Sequence, residues 1–233
     1  EEVLRNHPSY GSPRIALVLK RNHKPVERVM KIFGIKAYRR RGKRWKKTRK
    51  IKIIYPNLLL EKYPSYPNHI WASDCTHFPF QGKTVYLATV MDLFTRRIVG
   101  LSVMTTHAVQ LVLSAFMNAL LNNPRPAIFH SDNGSEYNSE IFIEALKTVG
   151  ISISRSAPGC PWENGYQESF YDKFKIDLGD PSRFKTLGEL VYEIYQTIWQ
   201  YNNERIHTAL RMPPQEFAIL AVANYNLVNK VSV

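Results

Sequence analysis

The order of predicted secondary structure from Ile70 onward restricts the fold more than any other feature of this chain. Three short apolar runs, at 70–80, 83–91 and 97–104, are rich in Val, Ile, Phe and Thr, and turn residues separate them. This pattern predicts an antiparallel meander. Helices and strands then alternate, with predicted spans of 107–122, 126–131, 138–149, 151–154, 163–178 and 186–203 and a last helix from about 213. The order predicts an α/β fold, a mixed five-stranded sheet with helices on both faces.

A pair of short helices is predicted ahead of the sheet. Ser12 and Pro13 are typical of a helix start, and a second apolar stripe begins near Pro25 and stops at Gly34. Two helices of this length suit a helix-turn-helix or a small helical clamp. A packing appendage without a recognition role explains them equally well.

Basic residues are concentrated between the helices and the sheet. The chain has a net charge of +13, and residues 1–55 hold 18 Lys/Arg against 3 Asp/Glu. Such a run repels itself unless a polyanion neutralises it, and it lacks the apolar face of a membrane-surface helix. It therefore favours nucleic acid over a solvated linker or an anionic membrane, and a tryptophan within it is placed to stack on a base. The predicted DNA contacts are Arg39, Arg40, Arg41, Lys43, Arg44, Trp45, Lys46, Lys47, Arg49 and Lys50.

Three carboxylates occupy positions that packing alone does not explain. Asp74 lies within the first strand, where aspartate is unfavourable, and Asp132 ends the fourth strand, at the edge where α/β sheets bind ligands. Glu168 lies on the following helix, and its helical phase places it on one face with Asn164 and Lys175. The opposing face of that helix is a predicted apolar stripe of Tyr166, Phe170, Phe174 and Leu178. An ordinary amphipathic helix would explain Glu168 alone. Together, two Asp and one Glu suit hard divalent cations, which can activate and stabilise oxygens in phosphoryl transfer.

Other polar residues are weaker candidates for the site. We expect Asp92 to cap its own turn and Glu136 to cap the next helix. We expect His130 to pack at a strand end or orient substrate, because imidazole seldom binds Mg²⁺. Arg205 and His207 are expected to contact phosphate or to cap the preceding helix.

Several motifs resemble the DDE transposases of the IS3 family, which are relatives of retroviral integrases. The strings WASDCT from Trp71, HSDNGSEY from His130 and ENGYQESF from Glu163 carry the likeness, with 35 residues between Asp132 and Glu168. Lys175, seven positions after the glutamate, also matches. A tail, YNNERIHTAL from Tyr201, and a start, HPSYG from His7, match at the two ends of the chain. Cys75 departs from the isoleucine common after the first aspartate.

The resemblance implies an RNase H-like core and a polynucleotidyl transferase with Asp74, Asp132 and Glu168 as catalytic residues and metal ligands. The implied cofactor is Mg²⁺ or Mn²⁺, as two ions. The implied substrates are terminal inverted repeats and target DNA, contacted by Lys175, Asn164, Arg205, His207 and the basic run. We expect a homodimer or higher multimer on DNA, in the bacterial cytoplasm and away from membranes, and a fragment of a longer protein.

The predicted organisation has four parts. These are a helix-turn-helix-like subdomain (1–38), a basic DNA-binding linker (39–62), an integrase catalytic core (63–178) and a C-terminal helical extension (179–233). Two other functions remain open at this point. One is a non-catalytic DNA-binding protein with an inherited fold, and the other is a plain metal nuclease of RNase H type.

Overall fold

The computed structural model describes residues 3, 11–36, 55–157 and 160–231, and the chain divides into two compact units, Glu1–Ile51 and Lys52–Val233. The smaller unit contains helices α1 (Ser12–Val18) and α2 (His23–Ile32), at the predicted positions. Asn22 begins α2, because its side-chain oxygen accepts a hydrogen bond from the Lys24 amide at 3.2 Å. The helix-turn-helix character of the smaller unit stays a prediction.

The larger unit is built on one sheet, and its elements begin and end within about two residues of the predicted spans. The strands are β1 (Ile70–Phe80), β2 (Lys83–Asp92), β3 (Ile98–Met104), β4 (Ile128–Ser131) and β5 (Ser152–Arg155). The helices are α3 (Val109–Asn122), α4 (Glu140–Thr148), α5 (Gly165–Leu178), α6 (Leu187–Asn203) and α7 (Pro214–Val231). The predicted meander is confirmed, since β1 pairs with β2 and β2 with β3, both antiparallel.

The sheet has the strand order β3-β2-β1-β4-β5, and each face carries its own apolar core. One core joins β1 to α5 and α6, with Phe78, Phe170 and Ile194 among its buried members. The other joins the opposite face to α3 and α4 and includes Trp71 and Phe116. Helices therefore cover both faces, as predicted. Among the described residues, no helix is both long and apolar enough to cross a bilayer.

Candidate active site

The parallel pairing of β1 with β4 aligns the first two candidate carboxylates. The register runs from Ile70 opposite Ile128 to Ser73 opposite Ser131. Asp74 and Asp132 are the next residues on the two chains, so they follow the last paired position side by side. Asp132 leaves the sheet there, because β4 ends at Ser131 while β1 continues. Both aspartates line one open cavity of about 520 Å³.

Gly134 keeps the backbone after β4 close to Asp132. Its amide donates a hydrogen bond to Asp132 Oδ1 at 3.0 Å. A Cβ at this position would lie only 3.0 Å from Asp132 Oδ1 and 3.0 Å from Glu136 Oε2. A larger residue would therefore push against two carboxylates at once, which is why this turn takes glycine.

The Asp74 carboxylate is held in an environment that opposes its ionisation. Its pKa is raised to about 7, mainly by burial, and the nearby charges of Asp132 and Glu168 contribute to the same rise. The Cys75 amide, which donates to Asp74 Oδ1 at 2.7 Å, and the ammonium of Lys175 act in the opposite direction. All three predicted carboxylates, hereafter the acidic site, therefore lie within electrostatic range of one another. Clustered carboxylate oxygens that repel one another are the donor set that a hard divalent cation fits.

Helix α5 is fixed against β1 by side chains that bind strand carbonyls. Gln167 Nε2 donates to the Ala72 carbonyl at 2.7 Å, and Tyr171 Oη donates to the Asp74 carbonyl at 2.7 Å. Thr89 on β2 supports both, because its hydroxyl donates to Gln167 Oε1 at 3.1 Å and lies 2.9 Å from Tyr171 Oη. These contacts hold Glu168, the residue after Gln167, within electrostatic range of Asp74.

Glu168 stands apart from the two aspartates in one respect. It is exposed on α5 and is not among the residues that line the cavity of Asp74 and Asp132. Within the described parts of the chain, no three His, Cys, Asp or Glu side chains are close enough to form a ready metal cluster. The convergence of three carboxylates on metal ions stays a prediction. Lys175, also exposed, lies with its ammonium 6.0 Å from the ring centroid of Phe78, two turns beyond Glu168.

The apolar stripe of α5 is buried as predicted from Phe170 to Leu178, but the start of the helix differs from the prediction. Tyr166, expected in the apolar stripe, is 46% exposed and lies beneath the guanidinium of Arg96. Asn164, expected on the exposed DNA-facing side, is buried and donates to the Ser73 carbonyl at 3.4 Å. The missed positioning residues are Gln167 and Tyr171. Their signal was a pair of polar groups at i and i+4, which need partners when a helix packs on a sheet.

Of the weaker expectations, the one for Asp92 is confirmed and the one for Glu136 is wrong. Asp92 caps its turn as expected, accepting from the Phe94 amide at 3.1 Å and the Thr95 hydroxyl at 2.7 Å. Glu136 does not cap α4, because the Ser139 hydroxyl accepts from the Phe142 amide instead. The Glu136 carboxylate faces the cavity of the two aspartates and contacts His107 Nδ1 at 3.0 Å.

His130 is fully buried, with Nδ1 2.9 Å from the Ser154 hydroxyl. Burial lowers the pKa of this imidazole to about 4, with the Arg155 charge as a smaller cause. His130 is therefore a neutral packing residue.

The predicted DNA contacts fall into two groups. Arg205 and His207 follow α6 and line a second cavity, together with Arg96 and Lys173. Arg205 forms an ion pair with Asp177 of α5, and the end of α6 is closed by backbone amides, so neither side chain caps that helix. The predicted contacts from Arg39 to Lys50 lie outside the described residues.

Comparison with known proteins links the larger unit to DNA transposition. Residues 64–161 and 149–214 each match a family model described as "Integrase core domain". The chain is 35% identical to the transposase for insertion sequence element IS904 of Lactococcus lactis, over 86% of this chain and 83% of that protein. It is 32% identical to transposase InsF for insertion sequence IS3A of Escherichia coli, over 88% and 74% of the two chains.

Solved structures agree on the fold. The HTLV-2 integrase catalytic core domain in complex with magnesium, in a trimeric form, matches with a TM-score of 0.55 and 22% identity, over 66% of this chain and 97% of that chain. The simian T-cell lymphotropic virus intasome, solved with PP2A regulatory subunit B56 gamma, matches with a TM-score of 0.59 and 22% identity, over 66% and 55%. The RNase H-like architecture is thereby confirmed.

Proposed function

Because the chain belongs to the IS3 family of DDE transposases, we propose that Asp74, Asp132 and Glu168 are its catalytic carboxylates. Transposases of this class are polynucleotidyl transferases. In the proposed reaction, water hydrolyses a phosphodiester at the end of an insertion sequence and frees a 3′-OH. That hydroxyl then attacks a second phosphodiester in the same site, its oxygen forming the new P–O bond as the old one breaks. No covalent protein intermediate is needed.

One observation carries this assignment, the parallel register that sets Asp74 beside Asp132 where β4 ends. A half-buried aspartate in mid-strand is costly, and here its pKa is raised by desolvation and by two further carboxylates. Its charged neighbours are two carboxylates, Asp132 and Glu168, against one ammonium, Lys175, so negative charge prevails around it. A site built this way is suited to a cationic ligand.

Divalent metal fits the donor set, and we propose two Mg²⁺ or Mn²⁺ ions held by Asp74, Asp132 and Glu168. When bound, such ions activate the attacking oxygen and stabilise the leaving one. The chain's own groups set the geometry. Tyr171 and Gln167 bind the β1 carbonyls at Asp74 and Ala72, and these bonds keep Glu168 of α5 within electrostatic range of Asp74.

Lys175 is proposed to hold a phosphate next to the scissile bond. It is exposed on the same face of α5 as Glu168, and its charge reaches Asp74. An ammonium there would bind a DNA phosphate, while the three carboxylates would bind the metal ions.

The proposed partners are terminal inverted repeats and target DNA, bound in part by the basic run at 39–50, within a homodimer or higher multimer. The solved HTLV-2 integrase core is described in dimeric and trimeric forms. Family membership favours action in the bacterial cytoplasm.

A joining assay with pre-cut ends tests the proposal. A duplex that carries the end of the insertion sequence with a free 3′-OH is incubated with target plasmid and Mg²⁺. We expect the wild-type protein to join the two and Asp132→Asn to join none. Glu144→Gln, an exposed change on α4, should match wild type. Nicking of the plasmid without joining would identify a nuclease, and binding without either reaction would identify a non-catalytic DNA-binding protein.

A further inference from the structure

A second cavity, of about 430 Å³, lies on the far side of α5 from Glu168. Four of its lining residues, hereafter the basic pocket, are cationic or can become so: Arg96, Lys173, Arg205 and His207. They come from three parts of the fold, namely the turn between β2 and β3, helix α5 and the segment between α6 and α7. Lys173 forms no ion pair within the described residues, and Arg96 forms none there either. Arg205 pairs with Asp177 of α5.

Arg96 is held in a backbone conformation that is unfavourable for arginine. Its backbone φ is 64°, in the left-handed region that favours glycine, and its carbonyl accepts a hydrogen bond from Tyr201 Oη at 3.0 Å. Its guanidinium lies 3.8 Å above the ring centroid of Tyr166. Among the described residues, its buried Nη1 atom has no hydrogen-bond partner. A guanidinium that lines the cavity and keeps an unsatisfied donor lacks an acceptor within the described part of the ligand-free protein.

His207 supplies a second polar atom without a partner. The tight turn after α6 fixes this residue, because its amide donates to the Met212 carbonyl at 3.0 Å. Its buried Nδ1 has no partner within the part of the chain that the structure describes. Burial lowers the pKa of the imidazole, and the charges of Arg96, Lys173 and Arg205 lower it further. The pocket therefore concentrates positive charge. Two of its lining side chains, Arg96 and His207, each keep a polar atom without a hydrogen-bond partner among the described residues.

We propose that the basic pocket binds a phosphate of the same DNA strand whose scissile bond lies at the acidic site. This inference rests on the function proposed above. Tyr166 and Lys173 lie about half a turn around α5 from Glu168 and Lys175. A helix is about 10–12 Å wide with its side chains, and a DNA strand rises about 3.4 Å per nucleotide. A strand that crosses the exposed side of α5 would therefore place a phosphate in the pocket about three or four nucleotides from the scissile one.

The rim of the pocket favours a nucleic acid strand over a small free anion. Ile206 is 68% exposed and Tyr166 is 46% exposed, so apolar surface borders the cations. Sugars and bases cover such surface, whereas an inorganic anion does not.

A scan with neutral linkages tests the pocket by binding alone. Duplex ends are prepared with one methylphosphonate at each position in turn, and their affinity for the protein is measured without divalent metal. We expect one or two linkages, a few nucleotides from the cleavage site, to weaken wild-type binding roughly tenfold. Lys173→Gln and Arg96→Gln should each reduce that loss to less than about twofold, because the contact is already gone. Lys147→Gln, an exposed lysine on α4, should keep the full loss.

Each other outcome overturns the assignment. Equal losses at every linkage in Lys173→Gln and wild type would mean that the pocket binds no phosphate of this DNA. Thermal stabilisation of wild type by inorganic phosphate, absent in Lys173→Gln and accompanied by a flat scan, would make it a site for free anions. A wild-type protein that fails to join pre-cut ends overturns the function proposed above, while the scan still decides on the pocket.

Discussion

Negative charges cluster on one side of helix α5 and positive charges cluster on the other. On one side, Asp74, Asp132 and Glu168 lie close enough for two of them to raise the pKa of the third. On the other side, Arg96, Lys173 and Arg205 lower the pKa of His207. Neither arrangement stabilises the ligand-free protein, because burial and repulsion both oppose it. Each side therefore suits a ligand of opposite charge: the acidic site suits cations, and the basic pocket suits phosphate.

Removal of an acidic-site carboxylate should have the largest effect. We expect Glu168→Gln to abolish both cleavage and joining while DNA affinity stays near wild type, because the change removes a ligand charge and keeps the shape. Lys173→Gln, on the opposite side of the same helix, should still join pre-cut ends at saturating DNA. Gel assays of both products, with affinities from fluorescence anisotropy, separate the two sides. Joining by Glu168→Gln at near wild-type rates would remove this residue from the site.

A smaller effect is expected at Lys175, which shares a side with the carboxylates but carries the opposite charge. Lys175→Ala should lower the joining rate by up to ~10²-fold, because misplacing the reacting phosphate by ~1 Å can cost that much. Lys175→Arg should recover part of the rate, since the charge remains. Single-turnover rates at saturating DNA and metal make the measurement. A rate for Lys175→Ala within twofold of wild type would mean that Lys175 is a solvated surface lysine.

The raised pKa of Asp74 predicts how stability depends on pH. The folded protein holds this proton up to about pH 7, whereas the unfolded chain releases it near the ordinary value of 3.8. Raising the pH from about 4 to about 7 should therefore remove a few kcal/mol from the free energy of unfolding of the metal-free protein. Asp74→Asn should lack this component and be more stable than wild type at pH 8. Urea midpoints across this range test it, with Glu144→Gln as the control and Mg²⁺ expected to restore wild-type stability.

Two buried tyrosines give the smallest effects and a matched pair. Tyr171 Oη binds the Asp74 carbonyl, and Tyr201 Oη binds the Arg96 carbonyl, so each hydroxyl supports one side of α5. Replacing either by Phe should cost about 1 kcal/mol, or about 2–4 °C in Tm. We expect Tyr171→Phe to weaken the stabilisation by Mg²⁺ and Tyr201→Phe to weaken DNA binding. If the two variants behave identically in both assays, the two sides of α5 do not bind different ligands.

Much of the fold could be predicted because the deciding signals are local. Apolar periodicity and turn residues located the strands and helices, and Gly150, with a φ of 69°, follows α4 in the left-handed conformation that ends many helices. Asp74 and Asp132 could be singled out because aspartate is unfavourable inside one strand and favoured at the end of another.

The rest depends on contacts between residues far apart in the sequence. Tyr166 fits the apolar stripe of α5 by its spacing, but it is drawn outward by Arg96, 70 positions earlier. Glu136 precedes α4 at a spacing typical of a helix cap, and the sequence therefore predicted a cap. In the structure its carboxylate contacts His107, which precedes α3 and is 29 residues earlier in the chain. The basic pocket likewise joins three segments that no local pattern connects.

The register between β1 and β4 also determines where the length of such a chain can vary. The two strands align Asp74 with Asp132 through their own pairing, and 23 residues separate β3 from β4, with α3 among them. Extra residues in the surface connections on either side of α3 leave that alignment untouched. A single residue inserted into β1 ahead of Asp74 would turn its carboxylate to the opposite face, where Cys75 now lies. Related chains should therefore differ freely in loop length here, while the number of residues between the start of β1 and its aspartate stays constant.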